Sequence, residues 1–273
     1  MKIFVYIFLV ISFFSYAITA QAFMGEGCGA GECKDCHSLT KEEAALTLKS
    51  VPGEVLDVKF SEVPGLWVVE LDQQGRKIPI YLDFSKQFVI SGSVVRLATR
   101  EDMTEKRFLA LNKADVSRIP LDDSLILGQA DAAHRIVVFD DPECAYCKKL
   151  HDEMKAVVSV RSDIAFFIKM FPLVGIHPKA YDKAKTIICE KSLQLLEDSL
   201  DGKDIPPPRC ETDQVDKNLA LGRSIYVKST PTLIMEDGSV MPGFKNAKTI
   251  IELIDTQGKE PKEEKEASAG QDG

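Results

Sequence analysis

Cys144-Ala145-Tyr146-Cys147 limits this chain more than any other stretch, because of what flanks it. Arg135 to Phe139 holds a short apolar strand core, Ile136-Val137-Val138-Phe139. It runs through Asp140-Asp141-Pro142 into an amphipathic helical pattern, Ala145 to Val158. A second apolar strand, Ile164 to Phe171, completes a βαβ unit with a buried parallel sheet. At a helix N-terminus the unpaired backbone N–H groups and the dipole stabilise a thiolate, which marks Cys144 as the nucleophile. Cys147, three residues on and on the same helical face, is placed to resolve a mixed disulfide. A zinc half-site would need a second ligand pair, and no further C-x-x-C lies nearby in this half. An inert disulfide would not need a strand-to-helix junction.

The remainder divides by pattern. With 273 residues, 45% of them hydrophobic, the chain is long enough for two folded units, and its composition excludes collagen-like, wholly disordered and multi-span membrane classes. A net charge of -8 argues against nucleic acid as a partner. Residues 1–22 read as a signal peptide. Met1-Lys2 opens it, Ile3 to Ala17 is apolar, and Ala20-Gln21-Ala22 is a small-x-small site with cleavage expected after Ala22. An uncleaved anchor is the alternative. Export to the periplasm lets disulfides form and persist. Residues 23–38 are a Cys-rich segment without periodicity. Residues 39–100 open on a capping box, Thr40 with Glu43, and continue as short β-rich runs, a small antiparallel sheet. Residues 101–133 form a linker, helical over Glu101 to Ala114 and irregular over Asp115 to Ala133. Residues 134–257 hold the βαβ unit, a helical pattern from His177 to Leu200, another over Asp213 to Val227, a hairpin about Asp237-Gly238 and a last helix. Residues 258–273 have almost no apolar content and read as a disordered tail.

The strand-CxxC-helix order resembles the thioredoxin fold, and Thr230-Pro231 stands directly before the strand Thr232 to Met235. In that fold this X-Pro bond is cis and faces the active-site cysteines, so the resemblance implies substrate contacts at Thr230 and Pro231. Taken together, Val138 to His151, Cys189, Cys210, Ser229 to Thr232 and Met241 to Phe244 resemble the periplasmic disulfide isomerase family of DsbC and DsbG type, over essentially Leu39 to Thr256. The resemblance implies an α+β architecture, with an N-terminal antiparallel-sheet dimerisation domain and a helical linker. These lead to an α/β thioredoxin-fold domain carrying a helical insertion. It also implies a structural disulfide between Cys189 and Cys210, a substrate-facing Tyr146, a homodimer, and electrons from a DsbD-type membrane reductase. Ala145 departs from the usual Gly. Six residues before Cys144 stands Val138, so the thioredoxin-type buried acid is not evident, and Asp140 and Asp141 read more simply as loop or cap groups than as proton carriers.

Cys33-Lys34-Asp35-Cys36-His37 is a C-x-x-C-H, and three readings stay open. It matches c-type haem attachment, with Cys33 and Cys36 bonded to the porphyrin and His37 as an iron ligand. It also suits a disulfide or redox pair, or zinc with Cys28. Cys28 is the odd cysteine if the other six pair. His151 reads as a packing residue or a tuner of the site, His177 as a helix-start residue, and Trp67 as core or interface. The combined expectation is an exported homodimeric thiol-disulfide isomerase or reductase that needs no cofactor for its dithiol chemistry. Its substrates would be misfolded exported proteins. The alternatives are a haem-bearing electron-transfer protein and a non-catalytic chaperone.

Overall fold

The computed structural model describes residues 36–256. The expected signal peptide, Cys28, Cys33 and the tail from residue 258 lie outside the described residues. Contacts divide the chain into two units. One runs up to Gln74 and includes Pro79–Ser91, and the other comprises Gly75–Ile78 with Gly92 onward.

In the first unit, α1 (Lys41–Thr47) starts where the sequence places it. The Thr40 hydroxyl accepts the Glu43 N–H, and the Glu43 carboxylate accepts the Thr40 N–H, both at 3.1 Å. Strands β1 (Glu54–Phe60), β2 (Leu66–Gln73), β3 (Arg76–Asp83) and β4 (Val89–Ile90) form a sheet in that order. Gln74 and Gly75 both take positive φ, which a two-residue hairpin turn between β2 and β3 requires. The core is the apolar centre of two strands, Trp67 to Val69 with Leu71, and Ile80 to Leu82, joined by Ala44 and Leu48. The β-rich run Phe88 to Leu97 holds two short strands, β4 and β5 (Val95–Arg96), separated by residues 91–94.

The second unit begins with β5 paired to β6 (Glu101–Asp102) and with α2 (Met103–Leu111), which Asp102 caps through the Glu105 N–H at 2.9 Å. Its main sheet contains β7 (Leu125–Leu127), β8 (His134–Asp140), β9 (Ile164–Met170), β10 (Thr232–Ile234) and β11 (Val240–Pro242), in the order β11-β10-β8-β9-β7. β8 and β9 run parallel, joined through α3 (Ala145–Val160); the other pairings are antiparallel. The stretch read as irregular holds β7, three residues too short to show a period, paired through Leu125 with Ile168. Every residue of β9 is buried, as a strand covered on both faces must be. One face carries Ile136, Val138, Phe166 and Ile168, packed with Leu150 and Met154 of α3; the other carries Phe139, Phe167 and Phe171.

The helical pattern from His177 to Leu200 is two helices, α4 (Ala180–Glu190) and α5 (Leu193–Leu200). Lys191 in the left-handed region ends the first, and Ser192 caps the second through the Leu195 N–H. α6 (Gln214–Ser224) approaches so closely that a Cβ on Gly222 would lie 2.5 Å from the Phe171 ring. α7 (Ala247–Thr256) closes the domain against α3.

Candidate active site

The site forms where β8 gives way to α3. Cys144 is the N-cap residue of α3, buried, and no side chain caps the helix there. Its thiol donates to the Thr230 carbonyl at 3.5 Å, and the Thr230–Pro231 peptide is cis. Hydrogen bonding from Cys147 brings the Cys144 thiol down to about 5. Burial opposes the change, and the Cys147 and Tyr146 backbone groups and the Thr230 side chain add to it. Cys147, one turn into the helix, is wholly buried, and burial pushes its thiol far above the ordinary range. At neutral pH the pair is therefore asymmetric, a thiolate at Cys144 and a thiol at Cys147.

The buried acid that the sequence hid is Asp140. It ends β8, four residues before Cys144 rather than six, and both carboxylate oxygens are buried without a hydrogen-bond partner. Burial, more than the nearby charges of Cys144 and Asp141, raises it to about 7, while contact with Cys147 acts in the opposite direction. The available signal was a charged residue closing an otherwise apolar strand. Asp141 differs from its neighbour: its N–H donates to Cys147 Sγ at 3.5 Å, and its carboxylate is occupied by other donors.

The rim is built by the helical insertion. The Ser199 hydroxyl of α5 donates to the Pro142 carbonyl at 2.7 Å. His151, buried on α3, meets Glu197 of α5 at 3.0 Å through Nε2. Lys183 of α4 pairs with Glu143 at 2.8 Å. A disulfide between Cys189 and Cys210, with Cα atoms 5.8 Å apart, closes the loop that contains α5. Tyr146 stands 60% exposed, with Lys149 5.2 Å from its ring centroid. His177 is not a helix-start residue: α4 begins three residues later, and the imidazole lies 2.9 Å from Asp141.

Cys36 and His37 lie in the first unit. The His37 ring rests 4.4 Å from that of Phe84 and meets Trp67 edge-on at 6.5 Å. The other three histidines each lie against a carboxylate: His134 on Glu236, His151 on Glu197 and His177 on Asp141. Among the described residues, no group of three or more His, Cys, Asp or Glu side chains could hold a metal.

This chain is 30% identical over 165 residues to a probable thiol:disulfide interchange protein DsbC of Bordetella avium, covering 60% of this chain and 57% of that one. It is 32% identical over 152 residues to the thiol:disulfide interchange protein DsbC of Salmonella typhimurium, covering 55% and 63%. The matched region thus spans about three fifths of these relatives' length. A crystal structure of a disulfide interchange protein from Neisseria gonorrhoeae matches 52% of this chain and 100% of that one, at 24% identity and a TM-score of 0.45. Residues 121–258, just over half of the chain, match the thioredoxin-like domain, and on that match the chain belongs to the thioredoxin-like domain family.

Proposed function

We propose that this protein is a periplasmic thiol-disulfide isomerase and reductase that rearranges non-native disulfides in exported proteins. The observation that carries the reading is the asymmetric pair, an acidified Cys144 at the N-terminus of α3 with a protonated Cys147 one turn into the helix. The Cys144 thiolate attacks one sulfur of a substrate disulfide. A Cys144–substrate bond forms, and the other substrate sulfur leaves as thiolate. For isomerisation, a second substrate thiolate displaces Cys144 and no net electrons move. For reduction, Cys147 gives its proton to Asp140 and its sulfur bonds Cys144, so both substrate sulfurs leave reduced and the enzyme pair is oxidised. Electrons then return from a DsbD-type membrane reductase.

Tyr146, Thr230 and Pro231 contact the substrate chain. A groove of about 480 Å³ lies between segments 171–176 and 219–228, where Val174 and Ile176 are exposed. Cys189–Cys210 serves as a structural disulfide holding the insertion. Residues 39–100 form the dimerisation domain, with 101–133 as linker. The homodimer is supported by the sheet edge at β4, where Phe88, Val89 and Ile90 are exposed. Chaperone-like binding of unfolded chains accompanies this activity. Cleavage of the leader after Ala22 places the protein in the periplasm.

The dithiol needs no cofactor. Covalent haem at Cys33, Cys36 and His37 rests on spacing alone; a Soret band in protein matured by a haem-attaching host would support it. The test of the main reading is recovery of a scrambled disulfide protein. The wild type restores native pairing catalytically and Cys144→Ser does not. Equal recovery with both proteins rejects the dithiol and favours the chaperone.

A further inference from the structure

The reduction step uses Cys144, Cys147 and Asp140, but leaves unexplained why a second buried aspartate follows the first. Asp141 is fully buried, and three donors converge on its carboxylate. Oδ1 accepts the Glu143 N–H at 2.8 Å; Oδ2 accepts the Leu173 N–H at 2.7 Å and the His177 imidazole Nδ1–H at 2.9 Å. The same residue's backbone N–H donates to Cys147 Sγ. Two of the three donors are backbone groups, and His177 supplies the one side-chain N–H. Its side chain is 23% exposed.

We propose that His177 is a positioning residue for the resolving step, holding Asp141 so that the Asp141 N–H stays on Cys147 Sγ and the Asp141 charge is balanced beside Asp140. This rests on the dithiol reading above. In that step the Cys147 proton passes to the Asp140 carboxylate, the freed sulfur forms the Cys144–Cys147 bond, and the Cys144–substrate bond breaks. The substrate sulfur departs as thiolate and takes a proton from water. Asp140 accepts a proton only when ionised, and an unbalanced Asp141 charge next to it works against ionisation. The His177 N–H, donated to the Asp141 carboxylate, draws off part of that charge, so ionisation of Asp140 is favoured. Other charged or titratable groups nearby are Cys144 and Cys147 of α3, Glu143 paired with Lys183 of α4, and Arg223 and Lys228, which line a groove with segment 171–176.

The test separates two rates in the full-length protein. Attack is followed with a small aromatic disulfide, and release with a mixed disulfide preformed between Cys144 and a cysteine peptide. In His177→Ala, release falls about tenfold near pH 7 relative to attack, the loss expected for one charge-assisted hydrogen bond, and its pH profile moves upward. His177→Asn keeps an N–H donor near the Nδ1 position, so it recovers release and moves the profile back toward that of the wild type. An unchanged ratio of release to attack in His177→Ala overturns the proposal. So does an equal fall in both rates with a lower melting temperature, which marks a packing role. Failure of the wild type itself to resolve the mixed disulfide overturns the dithiol reading, and this inference with it.

Discussion

The two larger sheets each bury a carboxylate in a strand, and the two carboxylates are treated in opposite ways. In the N-terminal sheet Glu70 of β2 is 7% exposed and meets Lys59 of the neighbouring strand at 3.1 Å. In the thioredoxin-like sheet Asp140 of β8 is wholly buried with both oxygens unpartnered, next to a thiol. A buried charge with a partner is compatible with a role in packing and register. One without a partner is retained at a cost to stability, which is what a group kept for proton transfer looks like. The sheets differ at their edges too: Phe88, next to β4, is 65% exposed, whereas Leu125 to Leu127 of β7 and Val240 and Met241 of β11 are buried or half-buried.

The contrast can be broken by experiment. Asp140 holds its proton to about pH 7 when folded but releases it near 4 when unfolded, so stability falls as pH rises between those values. Asp140→Asn should abolish that slope and raise stability at pH 8 by about 4 kcal/mol, as read by urea unfolding of the reduced protein. The same slope in both proteins would mean that Asp140 is not desolvated. Replacing Cys189 and Cys210 together by Ala should cost about 3 kcal/mol on the chain-entropy estimate for a separation of 21 residues. A loss near zero in denaturant melts would show that α5 holds its place unaided. Glu70→Gln should lose at most about 1 kcal/mol, in the direction opposite to Asp140→Asn. If it stabilises instead, the two carboxylates are alike and the comparison fails. Smallest in stability, but decisive for assembly, is Ile90→Lys, which should leave the melting temperature nearly unchanged while shifting sedimentation from dimer to monomer.

What the sequence made legible followed from period and punctuation. The capping box at Thr40 and the β8-α3-β9 unit were readable because each rests on a local pattern of several residues. β7 was not, since three residues in a polar stretch carry no period. The break at Lys191 was missed because a lysine in the left-handed region leaves no compositional mark. Cys144 and Cys147 stood out by spacing and position. Asp140 and His177 did not, because their significance lies in what the fold brings to them: a carboxylate is ordinary in sequence, and only enclosure removes its partners.

Gly222 also bears on how related sequences should be read. The ring it admits belongs to Phe171, whose N–H donates to the Asp140 carbonyl at 2.6 Å and which opens the segment leading to Leu173 and His177. A larger residue at 222 can be accommodated only if 171 shrinks or the segment shifts, so the two positions are expected to vary together. An alignment in which bulky residues at 222 occur beside small ones at 171 would trace, in substitution patterns, the packing that holds Asp141 in place.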